Sequence, residues 1–270
     1  MNLRVPDILT AGQSEKYTVS IRLSPGGLSF AGMIPSDNGS FFYTETAIDR
    51  SVRYMQAIKD VFFANPFFSY TYEQIYVVCA NRQYTLAPET IFVETQKEAV
   101  MSFVFSAPEE KTLHERLDEL ESEILFHIQP DVYEFFFRSL FRPTFTHSIT
   151  LLLNTWRKQN LTSFPKQLSV AVRDDMMDVA CFDKGALLFI NSFHVDDPDD
   201  ILYYIMYVWK QTGLDQQNDK LMLYANPQIY QALKDILHTY LSQIEFVQPR
   251  WTETNVEVPP DITALFQCES

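Results

Sequence analysis

The clearest pattern of apolar and polar positions in this chain runs from Leu168 to Tyr224. Apolar residues alternate with small or polar ones in short runs, which is typical of strands, and an apolar segment that follows an Asp-Pro pair indicates a helix. The predicted elements are, in order, strands at 168–173, 179–185 and 186–193, a helix at 201–211 and a strand at 221–224. Three antiparallel strands, a crossover helix and a parallel strand form one α/β unit.

The same unit is predicted once earlier in the chain. Its elements are strands at 17–23, 28–30 and 40–46, a helix at 51–64 and a strand at 74–78, with hairpin turns at 24–27 and 36–39. The offset between the two copies stays near ~150 residues over five elements, which a chance match would not sustain. Two copies indicate a duplicated architecture rather than a solenoid, whose repeats are shorter and more numerous. We expect one half at residues 1–160 and the other at 161–270.

The helix that follows Asp197 has clear signals at both ends. Asp197 is suited to cap the helix, Pro198 fits its first position, and Gly213 marks its end. Residues 201–209 are apolar around the whole helix, so we expect it to be buried on two sides.

The segments outside the two units give weaker patterns. Leucines at helical spacing predict an amphipathic helix over 109–125, while an overlapping apolar run at 123–128 predicts a strand. Further predicted elements are helices at 130–140, 149–159 and 226–240 and strands at 145–147 and 244–247, followed by a Pro-containing tail at 250–270 to which the pattern assigns no element.

The charge balance limits the classes of partner. The 270-residue chain has a formal net charge of −14, and its lysines and arginines do not form a run. Such a chain does not attract phosphate backbones or anionic lipid, so we expect neither nucleic acid nor membrane as a partner. Cys79, Cys181 and Cys268 are far apart and odd in number, which implies no disulfide framework. No apolar run predicts a secretory signal or a membrane span, and we expect a cytoplasmic protein.

Four stretches of the sequence carry a resemblance to a known family. They are Tyr17-Thr-Val-Ser-Ile-Arg22, Gln83-Tyr-Thr-Leu-Ala-Pro-Glu89, Ala186-Leu-Leu-Phe-Ile-Asn-Ser-Phe193 and Asp200-Ile-Leu-Tyr-Tyr-Ile-Met-Tyr-Val-Trp-Lys-Gln-Thr-Gly-Leu214. The chain resembles a family of uncharacterised Bacteroidetes proteins with the actin-like ATPase fold. That resemblance implies an α/β fold of two fused ribonuclease H-like subdomains, each with a mixed five-stranded sheet and helices on both faces. It implies no activity, because the function of the family is unknown.

The resemblance also implies where a nucleotide would bind. Catalytic members of the actin-like superfamily hold phosphates in two glycine-containing hairpin turns, because bare backbone N–H groups must approach the phosphates and an Asp must lie near for Mg²⁺. The first candidate phosphate turn is Ser24, Gly26 and Gly27, which has glycines but no Asp.

The second candidate phosphate turn departs further from that pattern. It contains the carboxylates Asp174, Asp175 and Asp178, but Met176 and Met177 stand where glycines are expected. The glycine pair expected on the adenosine side is missing too, since Tyr224-Ala-Asn-Pro227 follows the fourth strand. These departures predict an eroded nucleotide site.

Three hypotheses about function follow. The leading one is a non-catalytic module that acts as a protein-binding or assembly scaffold, as pilus and secretion relatives of the superfamily do, and a homo-oligomer is compatible with it. The second is an ATP-binding protein or weak ATPase, with ATP and Mg²⁺ as cofactors. The first hypothesis implies no cofactor.

The third hypothesis is a nuclease, which needs convergent carboxylates around two metal ions. The available carboxylates are Asp174, Asp175, Asp199 and Asp200. Capping of the helix explains the last two, and an acidic chain repels the substrate. We expect no catalytic residue and no metal site, because the five histidines never pair at ligand spacing and no Cys-x-x-Cys motif is present.

Overall fold

The computed structural model describes residues 3–49, 51–106, 110–162, 165–173, 175–251 and 256–268. In chain order the elements are β1 (Thr18–Ser24), β2 (Gly27–Ile34), β3 (Asp37–Ala47), α1 (Tyr54–Ala64), β4 (Gln74–Cys79), β5 (Tyr84–Pro88), α2 (Lys97–Val104), β6 (Lys111–Leu117), β7 (Ser122–Ile128), α3 (Pro130–Ser139), β8 (Thr144–His147), α4 (Ser148–Leu161), β9 (Gln167–Arg173), β10 (Met176–Asp183), β11 (Ala186–His194), α5 (Pro198–Gln211), β12 (Lys220–Tyr224), α6 (Pro227–Tyr240), β13 (Gln243–Val247) and α7 (Pro260–Cys268). None of the described helices is long and apolar enough to span a bilayer.

Two five-stranded sheets with the same strand order confirm the predicted duplication. The first has the order β3-β2-β1-β4-β8, and the second has the order β11-β10-β9-β12-β13. In each sheet the central strand is antiparallel to one neighbour and parallel to the other. All residues of β1 are buried, and so are those of β9 up to Val172. Both faces of these central strands are therefore covered, although apolar residues alternate with polar or small ones along them. The protein thus has the α/β architecture of two subdomains with equivalent mixed sheets that the resemblance implies.

Contacts divide the chain into two compact units. The first contains the described residues up to Thr150, with Val256 and 265–268, and the second contains Leu151–Trp251 and Glu257–Ala264. The division therefore falls inside α4. A boundary at residue 160 remains a prediction.

A third sheet replaces the amphipathic helix predicted over 109–125. The order β5-β7-β6 places β6 and β7 as an antiparallel hairpin, with Leu113 opposite Phe126. The helix prediction was wrong because leucines four residues apart, such as Leu113 and Leu117, share one face in a helix and in a strand alike. The overlapping strand at 123–128 was correct, and a left-handed Glu121 with φ of 46° makes the turn before it.

Two local predictions about β3 and the tail need correction. The second hairpin turns at residues 35–36, because Ile34 pairs with Asp37, and the Asn-Gly pair expected at the turn lies within β3. The tail, to which the sequence pattern assigned no element, contains α7, and its Phe266 is fully buried. The Phe266 ring packs edge-on against Phe41 of β3 with the ring centroids 5.5 Å apart.

Helix α5 has the predicted ends but not the predicted burial. Asp197 accepts hydrogen bonds from the backbone N–H groups of Asp199 and Asp200, and Gly213 follows the helix with φ of +63°. Its buried residues are Ile201, Ile205, Val208 and Trp209, whereas Tyr203 and Tyr207 are exposed. The expectation of burial on two sides was wrong because it counted tyrosine as apolar. A phenol tolerates water through its hydroxyl group.

Candidate functional site

The first candidate phosphate turn is a two-residue connection between β1 and β2. Ser24 pairs with Gly27, so the loop is Pro25-Gly26. The Ser24 hydroxyl donates to the Gly27 carbonyl oxygen over 3.3 Å, and the Tyr54 hydroxyl donates to the Ser24 carbonyl oxygen over 3.0 Å. A Cβ at Gly27 would lie 2.9 Å from the carbonyl oxygen of Thr46 on β3. Glycine is therefore needed there for the close approach of two strands.

The second candidate phosphate turn connects β9 and β10. Arg173 pairs with Met176, so the loop is two residues long, and Asp174 in that loop lies outside the described residues. The polar turn expected over 174–178 is thus shorter, since β10 begins at Met176. By the strand pairing, Met176 stands where the first unit has Gly27.

The carboxylates of this second hairpin have separate environments. Asp178 is buried in β10, where its Oδ1 accepts a hydrogen bond from the Ser192 hydroxyl. Asp175 is exposed, and its Oδ2 lies 3.8 Å from Nδ1 of His194. Nε2 of the same histidine lies 3.1 Å from Asp196. Ser24, Gly26 and Gly27 are thus together in the first unit, and Asp175 and Asp178 are in the second.

A cavity of about 300 Å³ lies beside the first hairpin, entirely within the first unit. We call it the hairpin cavity. Its walls come from the ends of β1, β4 and β7 and from the first turns of α1 and α3. The parallel strands β1 and β4 both end at it. In α/β sheets the carboxyl ends of parallel strands are the usual place for a ligand.

The hairpin cavity has an apolar wall and a polar wall. The apolar wall includes Leu23, Ala80, Val132 and Cys79, and burial raises the pKa of the Cys79 thiol to about 12, so the thiol stays neutral. The polar side chains are Ser24, Tyr54, Asn81, Glu110 and His127 with Gln83 and Gln129. The described residues that line the cavity include no lysine or arginine.

A carboxylate from the third sheet fills the N-terminal end of α4. Glu115 of β6 accepts hydrogen bonds from the Thr146 and Thr150 hydroxyls and from the backbone N–H of His147, at 2.8 to 3.2 Å. Loss of solvent raises the pKa of Glu115, and these three hydrogen bonds oppose the rise. A helix N-terminus attracts anions. Here the anion is the Glu115 carboxylate of the chain itself.

His147 also lies at this helix end and is fully buried. Its Nε2 is 3.1 Å from the Asn81 carbonyl oxygen, and its Nδ1 accepts the backbone N–H of Ile149 at 3.2 Å. These two contacts suit a neutral ring with its proton on Nε2. Burial lowers the pKa of His147 to about 3.

The exposed side of α5 forms a second notable surface, in the second unit. Tyr203 is 63% exposed and Tyr207 is 43% exposed, and their rings are stacked with centroids 6.2 Å apart. We call these two residues the tyrosine face. Tyr204 continues the aromatic contacts, because its ring lies 5.2 Å from Tyr203 and stacks at 4.1 Å on Phe193 of β11. The strand β11 is at the edge of its sheet.

The predicted site residues included two of the residues that matter most in this geometry, Ser24 and Gly27. Sequence analysis missed the cavity residues Tyr54, Glu110 and His127 and also Glu115. One signal was available, since His127 lies in the apolar run Ile124-Leu-Phe-His-Ile128. A polar side chain inside a buried strand needs an explanation. Across the described part of the chain, no three His, Cys, Asp or Glu residues are grouped to hold a metal ion.

Comparisons with known proteins place the chain within a fold and a family. No curated protein matches it significantly. A crystal structure from Bacteroides thetaiotaomicron, of a protein with an actin-like ATPase fold and unknown function, is 27% identical, with a TM-score of 0.85 over 98% of this chain and 100% of that one. The structure of a PilM-PilN type IV pilus biogenesis complex is 9% identical, with a TM-score of 0.60 over 93% of this chain and 98% of that one. Residues 6–244 match the model of a family described as protein of unknown function (DUF3822), and the chain therefore belongs to that family.

Proposed function

We propose that this protein is a non-catalytic protein-binding module that acts as an assembly scaffold. The tyrosine face of α5 is the observation on which this proposal rests. Tyr203 and Tyr207 lie one helical turn apart on a capped helix, and their large stacked rings are exposed to solvent. Tyrosine is enriched in protein interfaces because its ring offers a large rigid contact area and its hydroxyl can remain hydrated. The aromatic contacts extend through Tyr204 to Phe193, so the surface continues onto the edge strand β11.

The charges around the tyrosine face define the partner. Asp199 and Asp200 precede Tyr203 by four and three residues, so they lie one helical turn away on the same side of α5. The chain as a whole has a net charge of −14. Arginine and lysine bind to aromatic faces through cation–π contacts and pair with carboxylates. The complementary partner is a basic, arginine-containing segment of another protein.

The geometry of both hairpins supports the non-catalytic part of the proposal. Gly27 is needed for the contact between β2 and β3, and Met176 takes the equivalent position in the second unit. Asp178 is bonded to Ser192, and Glu115 already neutralises the N-terminus of α4. Groups that would bind a phosphate or Mg²⁺ therefore have structural partners. A protein of the same fold occurs in a pilus biogenesis complex, which supports the assembly part of the proposal.

Peptide binding tests the proposal directly. Fluorescence anisotropy would compare a labelled arginine-rich peptide with a glutamate-rich peptide of equal length. We expect binding of the arginine-rich peptide only, weakened by salt. The double variant Tyr203→Ser/Tyr207→Ser should bind at least about tenfold more weakly, equivalent to ~1.4 kcal/mol.

A matched control separates the tyrosine face from exposed tyrosine in general. Tyr240 of α6 is 46% exposed, so Tyr240→Ser changes a comparable side chain elsewhere in the second unit and should leave binding unchanged. Equal binding by wild type and the double variant, or preference for the glutamate-rich peptide, would reject the proposed surface.

The competing ATP-binding function has its own test. A ligand present at a hundred times its Kd stabilises a protein by ~2.7 kcal/mol, which is readily seen as a rise in melting temperature. We expect millimolar Mg-ATP to cause no such rise. A clear rise that is lost in Asp174→Ala would replace the non-catalytic proposal with nucleotide binding.

A further inference from the structure

The hairpin cavity contains polar groups of two kinds. One kind is already satisfied within the first unit. The Tyr54 hydroxyl bonds the Ser24 carbonyl oxygen, and the Asn81 side chain donates to the His127 carbonyl oxygen at 3.0 Å while it accepts the backbone N–H of Gln83 at 2.8 Å. These contacts fix the walls of the cavity.

The His127 ring is the first group left without a partner. The residue is 3% exposed, and Nδ1 is buried with no hydrogen-bond partner among the described residues. A buried unpaired ring nitrogen costs free energy, because it has lost water without gaining another partner. Burial also lowers the pKa of His127, so the ring is neutral at physiological pH. A hydrogen-bonding group of a molecule in the cavity, which His127 lines, would supply the missing partner.

Glu110 is the second such group. Glu110 lines the cavity, and neither it nor the nearby Asp131 forms an ion pair within the described residues. Lys111, the next residue along, has its Nζ 4.4 Å from the centroid of the Tyr133 ring. Loss of solvent and the negative charge of Asp131 raise the pKa of Glu110. A cation in the cavity would relieve this repulsion, whereas an anion would increase it.

The volume of the hairpin cavity limits the size of the ligand. A volume of about 300 Å³ is at the lower end of the ~300–1,000 Å³ typical of small-molecule sites. It suits a compact molecule, and no basic side chain is present among the described lining residues to hold phosphate groups. The apolar wall of Leu23, Ala80 and Val132 suits a short carbon chain between two polar ends.

We propose that the hairpin cavity binds a small organic amine with a second polar group, its ammonium bonded to the Glu110 carboxylate and its other polar end bonded to Nδ1 of His127. This site lies in the first unit and is separate from the tyrosine face of the second. A hydroxyl group suits the histidine in either neutral tautomer, since it both donates and accepts. The ligand class is thus an amino alcohol or a molecule of the same chemistry.

Three probes of equal length test the charge preference. They are 4-amino-1-butanol, 1,4-butanediol and 4-hydroxybutanoate, which have a cationic, a neutral and an anionic end on the same chain. Calorimetric titration of the full-length protein should show binding of the amino alcohol and at least about tenfold weaker binding of the other two. The propyl and pentyl amino alcohols bracket the chain length.

Variants test the two contacts separately. Glu110→Gln should lower the affinity for 4-amino-1-butanol at least about tenfold, because it removes a charge-assisted contact without a change in size. Glu73→Gln, at an exposed carboxylate outside the cavity, is the matched control and should have no effect. His127→Phe should weaken binding of 4-amino-1-butanol but not of butylamine, which lacks the hydroxyl group. A purely structural role of the ring would weaken both.

Several results would overturn the proposal. These are no binding of any of the three amino alcohols, a preference for 4-hydroxybutanoate, or equal affinity in wild type and Glu110→Gln. The comparison of probes uses wild-type protein alone, so it decides the question even if a variant does not fold. Loss of the tyrosine face would leave amine binding intact, which keeps this test independent of the proposed scaffold function.

Discussion

The crossover helices α1 and α5 occupy equivalent places in the two units but are used differently. Helix α1 begins without a side-chain cap, and its first residue, Tyr54, bonds the first hairpin and helps to form the hairpin cavity. Helix α5 begins with the Asp197 cap and exposes the tyrosine face to solvent. The same backbone plan thus gives a cavity with polar and apolar walls in one unit and an exposed aromatic surface in the other.

The edge strands β3 and β11 of the two units also differ, in how far their side chains are buried. β3 of the first unit buries Phe41 and Phe42, and Phe41 packs against Phe266 of α7. β11 of the second unit has no fully buried residue, and its Leu188 is exposed. An edge strand with exposed apolar residues is a ready place for another chain to pair. The two units therefore share the same core strands but differ in the burial of their edge strands.

The largest expected effect separates the two sides of α5. Ile205 is fully buried, so Ile205→Asp would place an unpaired carboxylate in the core and should cost more than ~4 kcal/mol, which is enough to prevent folding of the second unit. Tyr203→Asp on the exposed side should change stability by less than ~0.5 kcal/mol. Urea denaturation measures both. A normally folded Ile205→Asp protein would contradict the one-sided burial of α5.

Gly27 and Met176 give a second way to sharpen the comparison. Gly27→Ala should cost ~1–3 kcal/mol, because the new Cβ would approach the Thr46 carbonyl oxygen to 2.9 Å and the strands would have to separate. The control is Gly12→Ala, where no atom lies within 4 Å of a new Cβ and no loss is expected. Stability measured by urea denaturation should fall in the first variant alone. Equal stability of Gly27→Ala would mean that the glycine is free for another role, including phosphate binding.

Much of the fold could be predicted from the sequence because the buried strands repeat. β1 and β9 are central strands in which apolar residues alternate with small or polar ones in the same way, so the duplicated unit was visible without a structure. The helix prediction over 109–125 failed because Leu113 and Leu117 fit either a helix or a strand, and the pairing with β7 decides between them. α5 was predicted with its correct cap, since that cap is a local contact within five residues.

The candidate sites were less predictable because they depend on distant residues that converge. The hairpin cavity brings together Ser24, Tyr54, Glu110 and His127, which come from four separate segments. No local pattern marks such a meeting point. The tyrosine face was hidden for a different reason, since the exposure of Tyr203 and Tyr207 depends on which side of α5 faces the sheet.

The equivalent last strands of the two sheets, β8 and β13, should differ in how they affect the pH dependence of the free energy of unfolding. β8 ends at the buried His147, whose folded-state pKa is about 3 against an ordinary 6.5, and β13 ends at Val247. The unfolded chain protonates the histidine as pH falls below 6.5, whereas the folded protein resists protonation. The stabilisation is therefore complete above pH 6.5 and is lost progressively as pH falls toward 3. At pH 5 the loss should be about 2 kcal/mol.

His147→Gln is the control for this effect. Glutamine can donate to the Asn81 carbonyl oxygen and accept a hydrogen bond from the Ile149 N–H, and it does not titrate. The difference in the free energy of unfolding between wild type and variant should therefore change as pH falls from 6.5 to 5. Glu115 has a raised pKa and acts with the opposite sign, since the cost of its ionisation fades as pH falls. It is present in both proteins, so its contribution largely cancels in the difference. A difference that does not change with pH would show that His147 takes up a proton as readily in the folded protein as in the unfolded chain.

The smallest expected effect concerns the helix caps and can be tested in both directions. Asp197→Ala removes a side chain that accepts two backbone N–H groups at the start of α5, at 2.9 and 3.1 Å, and should cost ~1 kcal/mol.

Arg53 occupies the same position before α1 with extended backbone dihedrals, φ of −60° and ψ of 137°, but makes no capping hydrogen bond. Arg53→Asp should therefore stabilise the first unit by ~0.5–1 kcal/mol, because it supplies the missing acceptor and a negative charge at the helix N-terminus. Urea denaturation of the two single variants and of the double variant measures both effects, and the double variant should be close to wild type because the two caps are in different units. A loss of stability in Arg53→Asp would show that α1 is held at its start by Tyr54 and the hairpin rather than by the free N–H groups of its first turn.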